Sequence, residues 1–136
     1  MARRSRQPRR PVRRAPERDC PCGAGGPYDA CCGRLHAGDA GADTAEALMR
    51  SRYSAFALGD VDYLLRTWHP DTRPARLDLD GGRRWTGLEV LETSGGTAFH
   101  SSGTVTFRAH YRDAEGPGAQ EETSEFLRLD GAWVYR

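Results

Sequence analysis

The sequence predicts an α+β protein, helices first and an antiparallel sheet after them, and three observations carry that expectation. Between Asp43 and Pro70 the apolar residues recur at helical spacing: Leu48, Met49, Tyr53 and Phe56 share one broad face, and Val61, Leu64, Leu65 and Trp68 follow at i, i+3, i+4 and i+7. Beyond Pro70 the period becomes two, with Val105, Phe107, Ala109 and Tyr111 alternating against Thr104, Thr106, Arg108 and His110. Asp130-Gly131, set between two strand-like runs, is a strong signal for a two-residue hairpin. Helices segregated from an antiparallel sheet define the α+β class.

The first segment stands apart from this domain. Residues 1–19 hold eight arginines and three prolines, and Val12 is their only large apolar residue after Met1. Such a stretch cannot bury enough surface to offset its chain entropy, so a disordered basic tail is expected. It carries a net charge of +6, whereas the rest of the chain, with twelve arginines against seventeen acids, carries −5. The formal total of +1 therefore conceals a positive arm on an acidic body. The arm suits nucleic acid, an acidic protein surface or anionic lipid at low salt, or serves as a solubilising tail with no specific partner. All twenty basic residues are arginine, which reads as codon bias more than chemistry.

No stretch reaches the length of a membrane span, and no apolar run follows the early Arg-Arg pairs as an export signal requires. A cytoplasmic protein is expected, in a compartment that keeps thiols reduced.

That compartment bears on Cys20, Cys22, Cys31 and Cys32, all four cysteines of the chain, gathered within thirteen residues. Within each pair the cysteines are too close for a relaxed disulfide. In Cys-x-Cys an extended backbone sends side chains i and i+2 to the same side. Gly23, Gly25 and Gly26 let the chain turn back, and Pro27 suits the first position of a short helix that would present Cys31 and Cys32 from its end. Two plus two thiolates make a closed tetrahedral site suited to one structural Zn²⁺ and leave no open position for catalysis. His36, four residues after Cys32, is the alternative fourth ligand or a residue supporting the ligands. Four buried thiols without a metal are the plainer alternative.

The body follows a glycine-rich linker over 37–42. Asp43-Thr-Ala-Glu46 reads as a helix N-cap with an acid three positions on, and that helix ends at Gly59. Asp60 caps a second helix that His69-Pro70 closes. Strands are expected over 84–91, 104–112, 122–129 and 132–136.

The run C-P-C-G-A-G-G-P-Y-D-A-C-C, with Cys20, Cys22, Gly23, Gly25, Tyr28, Cys31 and Cys32 in register, resembles the SEC-C motif, a small zinc-binding element that contacts partner proteins at the end of the preprotein translocase ATPase. Ala24 replaces the usual serine, at a position that is not a ligand. L-M-R-S-R-Y-S-A-F at 48–56, D-Y-L-L-R-T-W-H-P at 62–70 and E-T-S-E-F…D-G-A-W at 122–133 look like the YchJ family of uncharacterised bacterial proteins. There a SEC-C motif precedes a domain similar to nuclear transport factor 2. Behind the tail over 1–19, the resemblance runs from about Asp19 onward and implies two parts: the motif over 20–36 and a cone-like α+β domain over 43–136 whose curved sheet wraps the helices and encloses a pocket. The sequence departs in carrying Thr123 where members often have arginine, and in lacking the second SEC-C motif that some members carry.

A fold of this kind hosts both enzymes and binding proteins, so the residues must decide. Chemistry would need an acid or base facing an apolar pocket, and the candidates are Arg52, Tyr53, Trp68, His69, Trp85 and Glu122, with Asp71 and His110 behind them. Each has a duller role. Tyr53 and Trp68 lie on faces that must be buried, His69 suits a helix C-terminus, Arg52 suits a carboxylate such as Glu122, His110 lies opposite an apolar face, and His100 sits in a loop. No acid, base and nucleophile share a diagnostic spacing. The expected function is a zinc-binding adaptor whose SEC-C knuckle docks a protein partner and whose pocket holds a small ligand or a protein segment. The alternatives are a dehydratase- or isomerase-like enzyme using His69 or Glu122, and a nucleic-acid- or ribosome-associated protein using tail and knuckle together.

Overall fold

The computed structural model describes residues 19–79 and 81–136. Apart from Asp19, the basic tail lies outside the described residues. The chain runs through a 3-10 turn at Tyr28–Ala30, helices α1 (Cys32–His36), α2 (Ala45–Leu58) and α3 (Val61–Arg66), and strands β1 (Arg84–Gly95), β2 (Ser102–Asp113), β3 (Gly116–Leu129) and β4 (Ala132–Tyr135). The strands form one antiparallel sheet in the order β1-β2-β3-β4, so every connection within it is a hairpin. The α+β expectation holds.

Helix α2 starts one residue later than the sequence suggests. Thr44, not Asp43, is the N-cap, its Oγ1 accepting from the Ala47 amide at 3.0 Å. The carbonyl of Asp43 instead accepts from the Trp133 indole at 3.2 Å. Gly59 ends the helix in the left-handed region at φ 79°, a conformation that favours glycine. Asp60 then caps α3 as expected, accepting from the Tyr63 amide at 3.1 Å.

Helix α3 stops at Arg66, short of the predicted His69-Pro70 boundary. The next residues leave the helix to lie parallel along the free edge of β4, with Tyr135 N donating to Thr67 O at 2.8 Å and His69 N donating to Tyr135 O at 2.7 Å. This pairing brings Trp68 beside Tyr135, rings 5.2 Å apart and nearly perpendicular.

Strand β3 begins at Gly116, six residues before the expected start, because Gly116–Gln120 pairs with the far end of β2. Gly118 is what permits it: a Cβ there would meet the Tyr111 ring at 2.7 Å. Asp130 and Gly131 both take positive φ (54° and 86°), as a two-residue hairpin turn requires. Strand β1 carries two register shifts, at Trp85/Gly87 and Val90/Glu92, and bulges of this kind bend a strand.

The inner face of the sheet and the broad face of α2 make the main core, from Leu48, Met49, Tyr53, Val105, Phe107, Phe126 and Trp133. A second cluster joins Leu35 of α1 to Ala55, Tyr63 and Leu64. The cysteine segment and the body therefore share apolar packing.

Candidate functional site

Two places in the molecule gather chemistry. The first is the cysteine knuckle. Asp19 bridges to Pro27, and Cys20 N donates to Gly26 O at 2.9 Å, folding the chain back on itself. Gly23 and Gly25 take φ of 78° and 99° in that turn. Cys31 and Cys32 lie where the 3-10 turn gives way to α1, so Cys32 opens a helix instead of closing one. The four sulfurs lie within 4.8 Å of one another, with Cys22 and Cys31 Sγ 3.5 Å apart.

Four sulfurs this close are a donor set that suits a metal ion. The Cys32 thiol, bonding to Cys22, holds Cys22 down at about 5, while burial, followed by Cys22 and Cys20, pushes Cys31 up to about 11. Cys32 is pushed up as well, first by its bond to Cys22 and then by burial. Ionising all of them together requires a positive ion among them. A tetrahedral Zn²⁺ with bonds of about 2.3 Å sets sulfurs about 3.8 Å apart, which this cluster fits. Four soft donors also match zinc better than any hard cation.

His36 stands outside the sulfur cluster, and both its nitrogens are engaged. Nε2 donates to the Ser51 carbonyl at 2.8 Å, so Nδ1 is the acceptor for the Tyr28 hydroxyl at 2.7 Å. Its ring also packs on Tyr63, centroids 4.6 Å apart. Further polar contacts tie the knuckle to the helices: Arg50 Nη1 donates to Cys22 O at 2.8 Å, Arg66 Nη2 donates to His36 O at 2.9 Å, and Cys20 Sγ lies 3.5 Å from the buried Ser54 Oγ.

The second place is a cavity of about 260 Å³ between α2, the inner sheet face and the Trp68–Tyr135 pair. Arg52, Tyr53, Trp68, Trp85 and Glu122 all line it; His69 does not. His69 Nδ1 accepts from the Asp71 amide at 3.0 Å, and Asp71 is exposed. His110 pairs with Glu89 at 2.6 Å on the outer face of the sheet, and His100 bonds Thr97 in the β1–β2 loop.

Met49, Phe56, Phe107, Ala109, Gln120, Ser124 and Tyr135 complete the lining. The alternation along β3 carried a signal for three of the contributing positions. Gln120, Glu122 and Ser124 share the face of the buried Phe126, and they pair across the ladder with Ala109, Phe107 and Val105. A polar run on the core side of a strand marks a place where the core is open.

Arg52 does not pair with Glu122. It is only 3% exposed, and its two hydrogen bonds both leave from Nη1, to Leu64 O at 2.8 Å and Thr67 Oγ1 at 2.7 Å. The guanidinium lies against the rings of Tyr135 (4.5 Å) and Trp68 (5.1 Å). Burial pushes its pKa down to about 10, so it keeps its charge at neutral pH. Tyr53, also buried, is pushed up to about 12 and stays a neutral phenol. Glu122 sits at the exposed rim and accepts from Gln120 Nε2 at 3.3 Å.

A helical layer on a curved antiparallel sheet, with a cavity between them and a four-cysteine knuckle in front, defines an α+β protein of the nuclear transport factor 2 type preceded by a SEC-C element. Residues 44–136 match the family described as YchJ, middle NTF2-like domain. The chain belongs to the YchJ family, whose curated members bear the name UPF0225.

A UPF0225 protein of Streptomyces coelicolor is 65% identical over 120 residues, covering 88% of this chain and 94% of its own. One from Corynebacterium glutamicum is 54% identical, covering 85% and 92%. Among solved structures, a SEC-C motif containing protein from Rhodopseudomonas palustris superposes with a TM-score of 0.75 at 38% identity, covering 85% of this chain and 93% of its own. Another, from Psychrobacter arcticus, gives 0.72 at 29% identity, covering 85% and 78%.

Proposed function

We propose that this chain is a zinc-stabilised binding protein: one structural Zn²⁺ on Cys20, Cys22, Cys31 and Cys32 holds the knuckle, the knuckle docks a protein partner, and the cavity behind it takes a small ligand. The observation that carries this reading is the sulfur cluster, four buried or half-buried donors within 4.8 Å and fixed to α2 from several sides. Four protein ligands leave the ion no open position, so its role is to hold the fold. The outward turn of the knuckle, Gly23 to Gly25 with Pro27, Asp29 and Ala30, is exposed and is the surface offered to a partner. A reducing compartment, the cytoplasm, keeps the thiols available to the metal.

The cavity supports binding over chemistry. His69 is not among its lining, and Glu122 lies at the rim without a second titrating group bonded to it.

Protein purified under reducing, chelator-free conditions should contain one equivalent of zinc by elemental analysis, and the Cys31→Ser/Cys32→Ser variant none. Metal-free wild-type protein would sink the zinc assignment. A partner retained by wild-type chain and by chain lacking residues 2–18, but lost from the double variant, supports docking through the knuckle. Loss on deletion of the tail alone would assign the contact to the arginines instead.

A further inference from the structure

Arg52 is a buried cation with more than half of its donor set unused. Its Nη1 is committed to Leu64 O and Thr67 Oγ1, while Nε and Nη2 have no acceptor among the described residues. Those two nitrogens form one edge of the guanidinium, the edge that grips a carboxylate with two parallel hydrogen bonds. No carboxylate of the described residues lies within ion-pair distance of it. Trp68 Nε1, on a ring that packs against the same guanidinium, is buried without an acceptor. Buried charges and donors are ordinarily paired, and leaving them unpaired costs stability. Here both belong to residues lining one cavity.

We infer that this cavity takes a small organic monocarboxylate with an apolar or aromatic body, its carboxylate on the Nε/Nη2 edge of Arg52. The inference rests on reading the cavity as a ligand site. The remaining walls fit the rest of such a molecule: Tyr53, Phe56, Trp85 and Phe107 offer rings and no further cation. A phosphate dianion would need more donors than one guanidinium edge and an indole supply. The volume sets the size. A cavity of roughly 150 Å³ holds benzene, so about 260 Å³ suits about ten non-hydrogen atoms. Glu122 at the rim disfavours a second negative charge at the outer end of the ligand and tolerates a neutral or cationic one.

Phenylacetate, its neutral isostere phenylacetamide and the cation phenethylammonium are suitable probes, read by quenching of tryptophan fluorescence with Trp68 and Trp85 in the cavity wall. The acid should bind the zinc-loaded full chain at least about tenfold more tightly than the amide, and the ammonium weakest. Arg52→Met, checked for folding by circular dichroism, should erase the preference for the acid. Should that variant fail to fold, Arg52→Lys, which keeps the charge but not the two-pronged edge, should weaken the acid at least about fivefold and leave the amide unchanged. Equal affinity for acid and amide, or a preference that survives substitution of Arg52, would overturn the carboxylate while leaving the cavity a ligand site. No saturable binding of any of the three probes up to about 10 mM would remove the ligand site itself.

Discussion

His36 Nε2 donates to the carbonyl of Ser51 at 2.8 Å, reaching from the end of α1 into the middle of α2. The same ring accepts from Tyr28 on the opposite side. The imidazole thus joins the cysteine knuckle to the main domain, and both nitrogens are used in doing so. His36→Ala should cost about 1–3 kcal/mol through lost buried hydrogen bonds and ring packing. It should nevertheless retain a full equivalent of zinc. Chemical denaturation and metal analysis on one preparation check both halves, and loss of the metal would make His36 a ligand.

Removing the ion should be felt beyond the knuckle. Leu35 shares a core cluster with Ala55, Tyr63 and Leu64, and Arg50 and Arg66 bond to knuckle carbonyls. Cys22→Ser, or chelation of the wild type, should therefore lower the melting temperature of the whole chain, seen in the near-ultraviolet signal of tryptophans distant from the cysteines. A melt unchanged in the tryptophan signal, with only the knuckle lost, would mean that the two parts fold separately.

Zinc binding should weaken as pH falls. Metal takes thiolates, and Cys31 and Cys32, both pushed up in the metal-free cluster, hold their protons at neutral pH. Cys22, held down by its bond to Cys32, gives up its proton more readily than these two. Protons from Cys31 and Cys32 must leave on binding, so affinity rises with pH across the neutral range. Calorimetry in buffers of differing ionisation enthalpy counts the protons released; a count of zero would contradict the proton distribution described above.

The first turn of α2 separates two neighbouring cap candidates. Thr44→Ala should cost about 1 kcal/mol by freeing the Ala47 amide, whereas Asp43→Ala keeps the carbonyl that Trp133 uses and should cost well under half of that. Equilibrium unfolding of the two variants side by side decides it.

The sequence announces its elements where the signal is local. Gly59 and the Asp130-Gly131 turn need backbone dihedrals that few residues supply, and the alternation in β2 needs only its own side chains. It is silent where the decision is made elsewhere. Trp68 continues the helical period of α3, yet β4 draws it out of the helix through two backbone bonds. Residues 116–121 look like a loop, yet β2 recruits them, with the Tyr111 ring over Gly118. Five of the six cavity candidates do line the cavity, and for Tyr53 and Trp68 the signal was a face that must be buried. The partner of Arg52 was not: charge alone suggests Glu122, whereas the fold supplies a carbonyl, a threonine and two aromatic rings.

One edge of the sheet is closed by the Thr67–His69 segment along β4, which leaves β1 as the other edge. Its two bulges interrupt the even spacing of amides and carbonyls that a second sheet would need in order to zip alongside. Crowded with copies of itself, this sheet therefore offers, among the described residues, no straight template for edge-to-edge growth, and the same irregular strand also works against self-association into fibres.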